Sequence, residues 1–185
     1  EKYFEDDMYI ESTLKYQSAS KLDTSNGRVL YNLGVNYYIL NFYRDAERIF
    51  KESKKYYNDK NLYGSLGLCF KKMGDYQQAE EEFKYAIYLD PRFTQAYSDL
   101  GLLYFEKGNF DGAIEQWKKI LEIEPKFTEN YVVLANLGAV YGKKEMPDKA
   151  LEYFVQALQL APEGSSIIEE IEKEIYNISK SKLEN

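Results

Sequence analysis

The dipeptide Leu-Gly recurs at Leu33-Gly34, Leu66-Gly67, Leu100-Gly101 and Leu137-Gly138, at separations of 33, 34 and 37 residues. Three residues after each glycine stands an aromatic (Tyr37, Phe70, Tyr104, Tyr141). Twelve after it stands an alanine (Ala46, Ala79, Ala113, Ala150), and sixteen after it a large aromatic (Phe50, Phe83, Trp117, Phe154). Pro91, Pro125 and Pro162 then close three of the intervals. A period of roughly 20–50 residues marks a chain built by stacking one supersecondary unit. Glycine inside a helix costs about 1 kcal/mol relative to alanine, so glycine at one phase of successive helices implies a close approach that a side chain would block. Lys72-Met73-Gly74-Asp75-Tyr76 and Lys107-Gly108-Asn109-Phe110 combine glycine with a polar capping residue, while Asp90-Pro91 and Glu124-Pro125 interrupt the step to the next unit. The pattern predicts helix hairpins, each unable to bury its apolar face alone and therefore stacked on a neighbour.

These coincident registers resemble the tetratricopeptide repeat (TPR) family, whose unit of about 34 residues is a pair of antiparallel helices. The resemblance implies an all-α fold, a right-handed superhelical solenoid of antiparallel helix hairpins. Aligned on it, residues 1–185 form a single array with repeats at 27–59, 60–93, 94–127 and 131–164. Bulky residues fill the fourth position (Leu30, Tyr63, Tyr97, Leu134) and mostly small ones the twenty-seventh (Ser53, Ala86, Ala157), with Ile120 a departure. Repeat one has Asn58-Asp59 where later units have proline, which predicts a tighter junction. Repeat four replaces the Gly-Asn turn by Glu145-Met146-Pro147. It is preceded by three additional residues, Thr128-Glu129-Asn130, which either lengthen its first helix by about a turn or form a loop insertion.

The ends differ. Tyr3, Tyr9, Ser12, Tyr16 and Ala19 fall one period before Tyr37, Tyr43, Ala46, Phe50 and Ser53. Residues 1–26 therefore read as a partial repeat whose first helix is cut off or one turn long, implying upstream repeats; a native amphipathic cap is the alternative. At the other end, Ser166-Ile167-Ile168-Glu169 resembles a capping box, and Ile167, Ile171, Ile175 and Ile178 recur at helical spacing. They predict a C-terminal capping helix over 166–180, followed by a polar tail from Ser179.

Composition narrows the chemistry. With no His in 185 residues, there is no imidazole base, no His-ligated metal and no Ser-His or Cys-His pair. No catalytic residue, metal ligand or cofactor is expected, and Glu80-Glu81-Glu82 reads as the polar side of an outer helix. The lone Cys69 fits a reducing, cytoplasmic compartment and reads as a packing contact rather than a reactive thiol. A periplasmic or other exported location stays open, because the sequence starts at Glu1 without Met. No apolar run reaches the roughly 20 residues of a membrane span, so direct membrane insertion is not expected. Net charge is -7, without a continuous basic stripe, so nucleic acid is not an expected partner.

In the family that the chain resembles, first helices line a concave face, chiefly through the second, fifth, ninth, twelfth and thirteenth positions. Carried over, these are Arg28, Tyr31, Val35, Tyr38 and Ile39 in repeat one, and Asn61, Gly64, Leu68, Lys71 and Lys72 in repeat two. Repeat three contributes Gln95, Ser98, Leu102, Phe105 and Glu106, and repeat four Val132, Ala135, Ala139, Gly142 and Lys143. The strongest partner-binding candidates are Arg28, Tyr31, Val35, Tyr38, Asn61, Leu68, Lys71, Lys72, Gln95, Leu102 and Phe105. A clamp of Lys and Asn for a chaperone C-terminus, one use of the fold, is largely missing, since Tyr31, Val35, Gly64 and Leu68 hold its positions.

Residues 27–72 hold nine Lys+Arg against four Asp+Glu, a local +5, which favours an acidic partner segment near repeats one and two. Ordinary solvated helix faces account for the same count, because most lysines of 51–60 belong on outer helices. The leading expectation is a non-catalytic scaffold binding a protein or peptide in its concave groove. The alternative is a structural or self-association module using the solenoid ends or convex surface.

Overall fold

The computed structural model describes residues 2–125 and 130–183. Every regular element among them is a helix: α1 (Lys2–Leu22), α2 (Gly27–Ile39), α3 (Tyr43–Ser53), α4 (Lys60–Met73), α5 (Tyr76–Leu89), α6 (Thr94–Glu106), α7 (Phe110–Ile123), α8 (Asn130–Lys143), α9 (Pro147–Leu160) and α10 (Ser166–Leu183). The chain separates into two compact units, Glu1–Ala96 and Tyr97–Asn185, with the division inside α6.

In the first unit α1 packs on α2, α2 pairs with α3, α3 meets α4, and α4 pairs with α5. In the second, α7 packs on α8, α8 pairs with α9, and α10 lies on both α8 and α9. Each hairpin crosses where the Leu-Gly motif predicts. A Cβ added at Gly34 would lie 2.5 Å from the Phe50 ring, and one at Gly67 2.7 Å from Phe83. At Gly101 it would lie 2.5 Å from Trp117, and at Gly138 2.5 Å from Phe154. The aromatic ring occupies the volume that an alanine methyl would need, and the alanines twelve residues after each glycine are fully buried beside it. Burying such a ring contributes about 1.5–3 kcal/mol, which offsets the helical cost of the glycine.

One turn geometry joins the helices of each hairpin. The backbone N–H groups of Asn41 and Phe42 donate to Tyr38 and Tyr37 carbonyls, those of Gly74 and Asp75 to Lys71 and Phe70, those of Gly108 and Asn109 to Phe105 and Tyr104, and those of Glu145 and Met146 to Gly142 and Tyr141. The first residue of each pair is left-handed, with φ of 64°, 82°, 74° and 56° at Asn41, Gly74, Gly108 and Glu145. This is the helix-ending arrangement that favours glycine, with asparagine as the common substitute. Asp75 and Asn109 also accept the N–H of Gln78 and Gly112 at 3.1 Å, capping the following helix. Phe42 and Met146, at the same position, make no side-chain cap. Pro147 instead opens α9, where its missing N–H costs nothing. At the junction into repeat two, Asp59 caps α4 through the Asn61 N–H at 2.8 Å.

Two open alternatives narrow and one expectation changes. Within 1–26 there is no separate one-turn first helix: α1 runs without a break from Lys2 to Leu22, with no Gly or Pro to interrupt it, as either a cut-off first helix or an amphipathic cap allows. Its inner face fastens to α2: Ser12 Oγ accepts from Asn36 Nδ2 at 2.8 Å, Gln17 Nε2 donates to Tyr37 Oη at 2.6 Å, and Tyr16 packs with Leu30, Leu33 and Ile49. The side chain of Tyr3 lies outside the described residues. At the other end, α10 continues through the expected polar tail to Leu183, and Lys180 near that end suits the negative end of the helix dipole. Finally, α8 has 14 residues, the same as α4; Thr128 and Glu129 lie outside the described residues.

Candidate binding surface

On α2 of the first unit, Arg28 is exposed and Tyr31, Val35 and Tyr38 are half-buried. Tyr31 leans on Phe50 and Tyr57, with ring centroids 5.9 and 5.8 Å apart, and Tyr38 on Tyr43 at 5.5 Å. These rings are thus braced from behind by the hairpin and open on the other side. On α4, Leu68 and Lys71 are half-buried, and Asn61 and Lys72 are exposed. The Asn61 side chain is already engaged, its Nδ2 donating to Asp59 Oδ1 at 2.8 Å. Gln95, on the last turn of the unit, is exposed.

In the second unit Leu102 and Phe105 are half-buried on α6, and Phe105 rests against Phe110 at 5.8 Å and Trp117 at 6.1 Å. Among the other residues carried over from the family pattern, Gly64 and Ala135 are buried rather than surface-lining. The Phe93 ring lies 3.4 Å from where a Gly64 Cβ would be, and Ala135 belongs to the core that holds Phe154 and Ile171.

The positive run over 51–60 is consumed internally. Lys51 pairs with Glu47 at 2.6 Å, Lys54 with Glu82 at 2.9 Å, Lys55 with Glu52 at 2.5 Å, and Lys60 with Asp90. Lys54 also lies 4.6 Å from the Tyr63 ring centre and Lys60 5.0 Å from that of Phe93. Glu82 and Asp90 come from outside the 27–72 window, so two of the five excess positive charges counted there are matched by the fold. Arg28 and Lys72 stay exposed on the first-helix faces.

Titration follows burial. The Cys69 thiol is fully buried and pushed up to about 12, by burial first and by Glu47 second, so it is protonated and unreactive at neutral pH. The Tyr63 phenol is likewise pushed up to about 12 by burial and by Tyr85. Hydrogen bonding to Lys60, helped by the Arg92 backbone N–H, holds the Asp90 carboxyl below its ordinary value. Among the described residues no group of Cys, Asp and Glu is placed to hold a metal ion, and no helix is long and apolar enough to cross a membrane.

Two features escaped the sequence reading. Tyr141 and Tyr153 stack with centroids 5.3 Å apart and planes 4° from parallel, with Lys149 5.4 Å from the Tyr141 ring centre. A cavity of about 550 Å³ also opens between α8 and α10. Its α8 side includes Ala139, Gly142 and Lys143, which the family pattern had named only as part of a general face.

Comparison with known proteins agrees with the geometry. The tetratricopeptide repeat profile matches residues 61–93, and a second profile of the same description matches residues 93–163. No curated protein matches the sequence. Among solved structures, MamA is 29% identical, with 80% of this chain and 85% of that one covered and a TM-score of 0.74. MamA from Desulfovibrio magneticus RS-1 is 22% identical over 82% of this chain and 85% of that one, with a TM-score of 0.75. YrrB, described as a TPR protein with an unusual peptide-binding site, is 24% identical over 85% of this chain and 80% of that one, with a TM-score of 0.70. Glycine crossings, hairpin turns and profile matches together place the chain in the tetratricopeptide repeat family.

Proposed function

We propose that this chain is a non-catalytic protein-interaction scaffold, built of repeats at 27–59, 60–93, 94–127 and 131–164, that holds a protein or peptide segment on the faces of its first helices. The observation that carries this reading is the set Tyr31, Val35, Tyr38, Leu68, Leu102 and Phe105, all half-buried on those helices. Large side chains fixed from one side and open on the other are the usual anchors of protein recognition, because little entropy remains to be lost when a partner covers them. Arg28, Lys71, Lys72, Asn61 and Gln95 supply polar contacts around them. The exposed Arg28 and Lys72 support an acidic segment at repeats one and two, although the paired lysines of 51–60 contribute little to it. YrrB, of the same fold, has a peptide-binding site, which supports the use of this architecture for such a purpose.

A second reading is self-association, favoured by α1, where Ile10 and Leu14, one turn apart, are 48% and 58% exposed. The experiment that separates the two is quantitative capture from the source organism with wild type, Tyr38→Ala/Phe105→Ala and Ile10→Ser/Leu14→Ser. The scaffold reading expects the first variant to lose captured proteins while its thermal midpoint still shows a folded chain. Undiminished capture by that variant, with loss of higher-order species in the α1 variant, would favour self-association.

A further inference from the structure

Lys51, Lys84 and Lys118 stand at the same position of repeats one, two and three. The first two are neutralised on their own helix, Lys51 by Glu47 at 2.6 Å and Lys84 by Glu80 at 2.7 Å, each one turn earlier. The residue one turn before Lys118 is Ile114, and no carboxylate pairs with Lys118 among the described residues. Because α7 packs on α8, Lys118 reaches the next repeat, as Lys51 does. Lys51 lies there 5.2 Å from the ring centre of Phe70, which has no hydroxyl. Lys118 instead meets the hydroxyls of Tyr141 on α8 and Tyr153 on α9. Burial lowers the Lys118 ammonium, but interactions with the Tyr153 and Tyr141 phenols outweigh it and hold the group above its ordinary value. The lysine is therefore charged at neutral pH.

The other members of the cluster depart from the earlier repeats in the same direction. Tyr153 stands where repeat two has Glu82, the carboxylate that holds Lys54. Lys149 stands where repeats one to three have Asp45, Gln78 and Gly112. Its ammonium lies 5.4 Å from the Tyr141 ring centre and has no carboxylate partner among the described residues. Tyr141 and Tyr153 hold each other as a parallel stack, and Tyr141 is only 6% exposed. A phenol oxygen that accepts from Lys118 keeps its own hydrogen to donate, and neither O–H has an acceptor among the described residues. Burial raises the Tyr153 phenol above its ordinary value, with Glu152 a lesser cause. Glu152 itself accepts from Gln156 Nε2 at 3.4 Å and pairs with neither lysine. Residues 97–185 hold ten Lys+Arg against sixteen Asp+Glu, a net -6, yet none of those carboxylates is spent on this cluster of two ammonium groups and two hydroxyls. The cluster is all donors, and its acceptor has to come from outside the chain.

We propose that Lys118, Lys149, Tyr141 and Tyr153 form a binding site for a phosphoryl group, either free or carried on a phosphorylated side chain of a partner protein. A phosphoryl group brings nearly two negative charges and three acceptor oxygens, which match two cations and two O–H donors; a carboxylate brings one charge and two oxygens. The site uses none of the first-helix residues proposed above to hold a protein segment, and it stands or falls separately from that reading.

The test is an NMR titration of the full chain at constant ionic strength. Its probes are inorganic phosphate, a blocked Gly-Gly-phosphoserine-Gly-Gly peptide, and the same peptide with glutamate in place of phosphoserine. At least one phosphoryl probe is expected to shift the Tyr141, Lys149 and Tyr153 amides saturably, and to bind at least about tenfold more tightly than the glutamate peptide. Tighter binding of the phosphoserine peptide than of phosphate assigns the group to a partner protein, and the reverse assigns it to a free anion. Lys118→Gln and Lys149→Gln, both at exposed positions, are each expected to weaken that binding about tenfold with the thermal midpoint unchanged. Tyr153→Phe keeps the stacked ring and is expected to weaken it through loss of the hydroxyl alone. Lys84→Gln, at the equivalent position of repeat two, is expected to leave it unaltered. Absence of shifts with both phosphoryl probes, equal affinity for the glutamate peptide, undiminished binding by Lys118→Gln/Lys149→Gln, or an equal loss in Lys84→Gln would each overturn the proposal. Tyr38→Ala/Phe105→Ala is expected to leave this titration unchanged, so a failure of the scaffold reading, seen in capture with that variant, is distinguishable from a failure here.

Discussion

In the unit Glu1–Ala96, lysines are tied to carboxylates of repeat two, Lys54 at the end of α3 to Glu82 on α5 and Lys60 at the start of α4 to Asp90 at the end of α5, and lie over the rings of Tyr63 and Phe93. The unit Tyr97–Asn185 joins Lys144 to Asp111 in the same way, and opens between α8 and α10 a cavity bordered by charges of both signs, Lys143, Lys173, Glu170 and Glu174. Its first-helix face on α8 is Ala135, Ala139 and Gly142, where α2 has Tyr31, Val35 and Tyr38. Both units nevertheless use the same crossing, a glycine under an aromatic ring. The difference teaches that the crossing sets the scaffold, while the residues facing away from it vary without disturbing the hairpin.

The comparison breaks most visibly at the crossings themselves. Phe83→Ala in the first unit and Trp117→Ala in the second are both expected to cost about 3–5 kcal/mol in urea denaturation. A cost below about 1 kcal/mol at either would mean that the crossing is not what both units share.

A pH profile sharpens the first unit alone. The Cys69 thiol has an ordinary value of 9.0 and a folded one of about 12, so above pH 9 the unfolded chain binds fewer protons than the folded one. Stability from this group is therefore complete below pH 9 and is lost as pH rises from 9 toward 12. Cys69→Ala is expected to make the decline in stability between pH 9 and 11 shallower by up to about 1.4 kcal/mol per pH unit. An unchanged slope would show the thiol exposed.

The two glycines of α8 give a smaller effect of opposite sign. Gly138→Ala is expected to destabilise, because the methyl meets Phe154, whereas Gly142→Ala is expected to stabilise by up to about 1 kcal/mol through helix propensity. Thermal melts of both variants decide it; a loss at Gly142 would mean that the cavity side is packed. Smallest of all, Glu145→Gly should gain about 1 kcal/mol or less by relieving the left-handed backbone, while Asp75→Ala should lose about as much by removing a cap.

The all-α class and the family were legible because the contacts behind them are local. Gly34 and Phe50 are sixteen residues apart, and the turn between them is short enough that one period carries helix, turn and return helix. The form of α1 was only partly legible, because alignment to a period is satisfied equally by a one-turn helix before a hairpin turn and by one continuous helix. The cavity was not legible at all: Gly142 looks like any other helical glycine until α10, which begins more than twenty residues later, is placed beside it. The pairing of Lys54 and Lys60 likewise spans 28 and 30 residues, so a window count read as surplus charge what the fold neutralises.

Trp117 is the only tryptophan in the sequence, and it sits at the α6/α7 crossing with 1% of its surface exposed and its indole N–H without a hydrogen-bond partner among the described residues. Nature has thus put a single optical probe at the hinge of one hairpin. Its emission should be blue-shifted in the folded chain and shift to the red when that hairpin opens. Unfolding followed by fluorescence would then time the separation of α6 from α7, while circular dichroism times the loss of all the helices. A gap between the two curves would turn the repeat architecture into a readable order of events.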